Sequence, residues 1–390
     1  MIKRSVSPKV LCYAKQYPVL MITGPRQSGK TTIVKSLFPE KKYISLEAME
    51  TREYASSDPK AFLAQYPEGA IIDEVQRVPQ LTSYIQNIVD EKDKAGMFVL
   101  TGSQSFELMS SLSQSLAGRM AIVRLLPFSR EEAYGPAGKN KLEEVLYRGF
   151  YPRIHDKKLN PTEASSFYTS SYIERDIRGL VKVQDLLRFE TFLKLCAGRT
   201  GQLLNLTSLG NDCGISHNTA KSWLTLLEAS FIIKLLPPFH ANLNKRLVKS
   251  PKLYFIDTGL AAFLIGINSL SQIMTHPLRG SLFETFVFSE LLKSRYNAGK
   301  TENLYFFRDS NGVEVDFIIE EGNALYCYEA KSSATLNPDM FKGLFFLKKA
   351  IKKEISMNVV YGGNESYKRE GVRVVSWNSM SKTAAHRSKT

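Results

Sequence analysis

Gly24-Pro25-Arg26-Gln27-Ser28-Gly29-Lys30-Thr31 stands between an apolar run, Val19-Leu20-Met21-Ile22, and Thr32-Ile33-Val34-Lys35-Ser36-Leu37, which reads as a helix. A G-x-x-x-x-G-K-[ST] turn with a buried strand before it and a helix after it is a phosphate-binding loop. Each residue type has a chemical reason. Gly24 and Gly29 let the backbone curl so that its N–H groups point inward at a polyphosphate. The helix beginning near Lys30 adds the positive end of its dipole. Lys30 reaches the β- and γ-phosphates, and the Thr31 hydroxyl can sit on Mg²⁺. The expected ligands are therefore ATP and Mg²⁺, held by Gly24, Pro25, Arg26, Gln27, Ser28, Gly29, Lys30, Thr31 and Thr32.

Working outward, Lys42–Leu46 reads as a second strand, and Asp58-Pro59 opens a helix around Phe62 and Leu63. Ala70-Ile71-Ile72-Asp73-Glu74 is an apolar strand ending in two acids. Ligands of a parallel sheet gather at the carboxyl ends of its strands, where these acids fall. Asp73 is expected to hold the Mg²⁺ bound by Thr31, and Glu74 to orient and polarise the attacking water. Gly96–Ser103 is a further apolar strand, and Thr101, Ser103 or Gln104 at its end are candidates to contact phosphate or water. Phosphoryl transfer benefits from an arginine near the developing charge. Arg119, in Leu116-Ala117-Gly118-Arg119, is the first candidate and Arg124 the second. Strand–helix alternation through about residue 130 gives an α/β fold, the parallel sheet of a P-loop NTPase.

In order and spacing, GPRQSGKTT, IIDEVQRVP, FVLTGSQSF and SLAGR resemble a group of prokaryotic AAA-type ATPases whose C-terminal half is a domain of long-uncharacterised function. The resemblance continues through Tyr172–Ile177 (YIERDI) and Ser250–Leu264 (SPKLYFIDTGLAAFL). It implies an AAA-type ATPase domain, a helical winged-helix-like region and an α/β restriction-endonuclease-like domain. Turn-rich stretches at 136–140 and Asn160-Pro161 suggest boundaries giving domains 1–160, 161–265 and 266–390.

The second half carries its own signals. Thr162–Gly179, with Arg175 and Arg178 a turn apart, and Asp185–Arg199 read as helices. A short helix, a glycine turn at Gly214 and a polar-fronted helix from Ser216 give helix-turn-helix patterning. Ser216 is a good N-cap, and Ala220, Trp223, Leu224 and Leu227 form an apolar face. His217, Asn218, Lys221 and Ser222 would then face a DNA groove, with Phe231–Leu236 and the basic loop Asn244–Lys249 as the wing. Packing alone is the other role such a module can have. Farther on, Glu284 shares a helical face with Val287, Phe288 and Leu291, where an acid is costly unless paired or metal-bound. Val313–Ile319 and Leu325–Lys331 read as strands; alternation puts Glu329 and Lys331 on one side. Glu284, Asp316, Glu329 and Lys331 resemble the PD-(D/E)xK nuclease constellation, with Val-Asp in place of Pro-Asp. That resemblance implies Mg²⁺ on Glu284, Asp316 and Glu329, and water activated by Lys331.

Composition sets the partners. The 390 residues exceed one ordinary core, and 43% hydrophobic with 23% charged residues is a globular balance. Lysine and arginine total 52 against 38 acids, a formal charge of +14, which favours a polyanion such as DNA. The four cysteines are scattered without a C-x-x-C pair, so neither a zinc site nor a disulfide framework is expected. No apolar run approaches membrane-spanning length and no signal-peptide core opens the chain. The expectation is a cytoplasmic ATPase, with DNA as partner, no membrane contact, and a homo-oligomer as one possible state.

Overall fold

The computed structural model describes residues 2–102, 115–136, 140–173, 177, 185–239 and 248–380. Ser103, Gln104, Arg175, Arg178 and residues 244–247 of the expected wing loop, 244–249, lie outside the described residues. The chain forms two compact units. The first comprises residues 1–127 with the short returns 229–231 and 295–300; the second comprises the rest.

In the first unit, strands β1 (Val19–Thr23), β2 (Tyr43–Ser45), β3 (Ile71–Asp73), β4 (Phe98–Gly102) and β5 (Met120–Arg124) pair all in parallel, in the order β2-β3-β4-β1-β5. Helix α1 (Ser7–Ala14) precedes β1, and α2 (Lys30–Leu37), α3 (Met49–Ser57), α4 (Pro59–Ala64) and α5 (Leu81–Lys92) lie in the connections between β1, β2, β3 and β4. All five residues of β1 are buried, because both faces of the sheet are covered. Val19 and Met21 pack with Ile44, Phe62, Ile85 and Leu100, whereas Leu20 and Ile22 pack with Val10, Ile33 and Val123. With β1 between β4 and β5, the phosphate loop leaves the carboxyl edge one strand in from β5.

The second unit opens with α6 (Arg130–Tyr134), α7 (Leu142–Arg148), α8 (Pro152–Asp156), α9 (Pro161–Tyr172) and α10 (Leu186–Gly198). Then β6 (Gln202–Leu203) leads to α11 (Leu206–Cys213), α12 (His217–Ala229), β7 (Ile233–Leu236) and β8 (Lys252–Phe255). The three strands form an antiparallel sheet in the order β6-β8-β7. Helices α13 (Thr258–Leu264), α14 (Leu270–Thr275) and α15 (Arg279–Asn297) follow, then a six-stranded mixed sheet, β13-β14-β12-β11-β10-β9. Its strands are β9 (Leu304–Arg308), β10 (Glu314–Glu321), β11 (Ala324–Lys331), β12 (Glu354–Tyr361), β13 (Tyr367–Arg369) and β14 (Val372–Ser376), with α16 (Lys342–Ala350) between β11 and β12. Strands β9, β10 and β11 are antiparallel neighbours, whereas β11, β12 and β14 run parallel. Among the described residues, no helix is long and apolar enough to cross a membrane.

The main segment of the first unit ends at Pro127, ahead of the turn-rich stretch near residue 160. Side chains far along the chain account for this. Buried Asp257 accepts from the Phe150 N–H at 2.6 Å and caps α13 through the Leu260 N–H at 2.8 Å. Glu290 accepts from the Arg130 N–H at 3.0 Å, and Phe150 stacks on Phe286. Residues 128–160 are therefore tied to the C-terminal region, and the glycine and proline signals there mark turns inside one unit.

Loss of a cap and a stranded buried donor each cost about 1–2 kcal/mol. Asp257→Ala should lower the stability of the second unit by about 2–4 kcal/mol in urea unfolding followed by tryptophan fluorescence. An unchanged midpoint would contradict this account of the boundary.

Candidate functional site

The phosphate loop is shaped by three left-handed or strained residues: Gly24 at φ +156°, Gln27 at φ 59° and Gly29 at φ +91°. A Cβ on Gly24 would lie 2.1 Å from the Leu125 carbonyl oxygen, so only glycine fits against β5. Behind the loop, buried Arg4 donates to the carbonyls of Ser28 and Leu126, each at 2.7 Å. The sequence reading missed this buttress, since nothing local links Arg4 to residues 24 and 122 positions away. Lys30, nearly buried, donates to the Gly24 carbonyl at 2.9 Å and to the Pro25 carbonyl at 2.8 Å. Its ammonium thus lies within the curl of the loop.

Asp73, 5% exposed, collects hydroxyl donors from three elements. Thr31 on α2 donates at 3.0 Å and Tyr43 on β2 at 2.6 Å, both to Oδ2, while Thr101 on β4 donates to Oδ1. Burial, then the Asp73 carboxylate, raises the Tyr43 phenol above its usual range, so it stays a donor. Lys35 covers the Tyr43 ring at 3.5 Å. The chain then breaks out of β3, and Glu74 takes a left-handed conformation (φ 60°, ψ 43°), where non-glycine residues are strained. Its Oε2 accepts from the Gln76 amide. The expected order, Asp at the strand end and Glu just beyond, is thereby realised with different backbone geometry at each. Arg119 lies on the surface, paired with Asp90 through Nε and Nη2, the latter at 2.9 Å. Arg124 covers the Tyr296 ring at 5.3 Å.

A second constellation lines an open cleft of about 940 Å³ in the second unit. Glu284 from α15, Asp316 from β10, and Glu329 with Lys331 from β11 come together as expected. A register shift against β9 between Val315 and Ile318 bends β10 at Asp316. Such bulges re-aim a side chain. Asp316 accepts from the Ala330 N–H at 2.9 Å, and Lys331 Nζ lies 2.9 Å from Glu329 and 3.9 Å from Asp316. Three further residues were missed in the sequence: Lys252 and Tyr254 on β8, and Glu314 on β10. Lys252 Nζ lies 2.9 Å from Glu284, against Glu314, and 3.9 Å from Asp316. The Tyr254 hydroxyl also donates to Glu284, its ring stacked on Phe288 at 4.5 Å. Among the described residues, no group of three or more His, Cys, Asp or Glu side chains is arranged to hold a metal ion. The cluster's charges are met by lysines instead.

The electrostatics follow from crowding. Burial, followed by the neighbouring Asp316 charge, pushes the Glu284 carboxyl up to about 7. The same two causes push Glu329 well above the carboxylate range. Burial opposes ionisation of Asp316, but Lys252 and Lys331 outweigh it and hold this carboxyl below its ordinary value. Burial likewise opposes the charge on Lys252, and Glu284, Asp316 and Glu314 more than offset it, so its ammonium is held above the usual lysine range.

A glycine turn joins α11 to α12. Gly214 is left-handed, the Ser216 hydroxyl accepts from the Thr219 N–H at 3.1 Å, and Trp223 packs edge-on against Phe189 and Phe192. His217, Asn218, Lys221 and Ser222 are exposed on the outer face of α12.

Three family models match successive stretches of the chain. Residues 16–134 match a family model described as an AAA domain. Residues 139–271 match a domain of unknown function (DUF8612), and residues 279–380 another (DUF4143). Over 326 residues the chain is 29% identical to an uncharacterized protein of Mycobacterium tuberculosis and to one of Mycobacterium bovis, spanning 82% of this chain and 71% of each relative. Among solved structures it is similar to a Walker-type ATPase of Pyrococcus abyssi, with a TM-score of 0.46 and 15% identity, over 68% of this chain and 96% of that one. It is also similar to AMPPCP-bound DnaA from Aquifex aeolicus, with a TM-score of 0.30 and 15% identity, over 57% and 86%. The AAA-domain match and the parallel five-stranded sheet with its phosphate loop give the first unit as an AAA-type P-loop fold.

Proposed function

We propose that the chain is a cytoplasmic, Mg²⁺-dependent ATP hydrolase that works on or beside DNA. The observation that carries the reading is the convergence of Thr31 and Asp73, 3.0 Å apart, at the mouth of a loop whose glycine leaves room for nothing but backbone. A hydroxyl and a carboxylate so placed have the donor chemistry of a Mg²⁺ site. When bound there, Mg²⁺ would neutralise phosphate charge. Lys30 would exchange the Gly24 and Pro25 carbonyls for phosphate oxygens, so that its ammonium meets a charged acceptor in place of neutral ones. Inward N–H groups of the loop and the start of α2 would hold the remaining oxygens. Glu74, outside the strand and steered by Gln76, would take the proton of the attacking water. Arg119 would serve a neighbouring copy in a homo-oligomer, exchanging Asp90 for phosphate charge.

The second unit would supply the DNA contacts. The exposed face of α12 supports a winged-helix role, and Arg308, Lys331 and Lys342 line the cleft beside the acids of the nuclease-like sheet. A second reading is a nucleotide switch whose nuclease-like half recruits partners without cutting DNA. The lysine pairing of every acid in the cleft favours it.

Three outcomes are expected. Lys30→Ala should abolish ATP binding in a fluorescent-nucleotide titration. Glu74→Gln should bind ATP normally while turnover falls by about a hundredfold or more; wild-type turnover would remove Glu74 from the mechanism. Lys221→Ala should weaken binding to duplex DNA of any sequence and lower the salt slope by about one. A wild-type slope would leave α12 as a packing element.

A further inference from the structure

The acids of the cleft resemble those of a metal nuclease, yet the structure meets them with a side chain that was not among the expected residues. Lys252 is only 4% exposed at its side chain. Its ammonium touches Glu284 at 2.9 Å and Glu314, and lies 3.9 Å from Asp316. These are the acids between which a divalent ion would have to enter from the α15 side. Lys331 holds Glu329, and Arg308 holds Glu314 at 3.3 Å, so each of the four carboxylates already has a cationic partner.

Lys252 is also pinned. Its backbone pairs with Leu203 on one side and Leu236 on the other, in the middle of the three-stranded sheet. Its ammonium lies over the rings of Tyr254, at 6.0 Å, and Phe306, at 5.7 Å. With its backbone held in the central strand and its side chain almost wholly buried, the ammonium is confined among these acids. Gly201, on the turn before β6, lies beside the same acid: a Cβ there would stand 3.6 Å from the Glu284 carboxylate.

We infer that Lys252 is the resident cation of this carboxylate cluster, taking the place that Mg²⁺ holds in metal-dependent nucleases, so that the native cleft does not bind a divalent ion. A divalent ion placed about 4 Å from a buried ammonium loses at least about a hundredfold in affinity through like-charge repulsion. The inference deepens the reading of the second unit as a non-cutting module. It is independent of ATP hydrolysis by the first unit, and nucleotide is left out of its test.

The test is Mn²⁺ titration of the full chain without nucleotide, read by the loss of the free-ion EPR signal. Wild type and Asp316→Asn should give the same isotherm. Lys252→Gln, which keeps length and polarity but removes the charge, should gain one Mn²⁺ site at least about tenfold tighter than any in wild type. That site should vanish in Lys252→Gln with Asp316→Asn, and Mn²⁺ should raise the melting temperature of Lys252→Gln only. An Asp316-dependent Mn²⁺ site in wild type overturns the inference, and this comparison stands even where Lys252→Gln does not fold. A folded Lys252→Gln protein that gains no site overturns it too, because something other than Lys252 would then exclude the ion.

Discussion

The first unit depends on one carboxylate. Asp73 ends β3, and its two oxygens receive hydroxyls from α2, β2 and β4. A buried carboxylate without donors is costly, and three donors from three elements satisfy it only when strand register and loop position are all correct. The group that would sit beside a phosphate-bound cation is therefore also the group that locks the carboxyl edge of the sheet. Fold and site share a constraint here, and the strained backbone of Glu74 comes directly after it.

The second unit balances its charges differently. Its cleft gathers Glu284, Glu314, Asp316 and Glu329 and places lysines between them, one on a central strand. Buried pairs of this kind contribute little net stability over an apolar replacement, but breaking one strands a charge at a cost of several kcal/mol. Such clusters fix geometry more than they add energy. That fits a region where β8, α15 and β10 have to meet in one register.

How much was legible in the sequence tracks the distance over which each interaction acts. The phosphate loop, the Asp73–Glu74 step, the Ser216 cap and the apolar face of Trp223 are set by neighbours within a few residues, and the structure places them as read. Glu284 announced itself as an acid on an apolar face needing a partner. The partner did not: Lys252, in Lys-Leu-Tyr-Phe, looks like any strand-opening lysine, and only the packing of β8 against α15 makes it the cluster's cation. Glu314 was hidden for the same reason, two residues from Asp316 on a strand bent by a bulge. Arg4 behind the loop, and Asp257 joining residue 150 to the C-terminal half, are contacts across more than a hundred positions that no local pattern encodes.

The account stands on Thr31 and Asp73 together holding the cation that accompanies the triphosphate. Calorimetric titration of ATP with and without Mg²⁺, into wild type and Asp73→Asn, measures this most directly. The account gives ATP affinity in wild type that rises about tenfold or more on adding Mg²⁺, and an increment that disappears in Asp73→Asn. An equal Mg²⁺ increment in both proteins would contradict it.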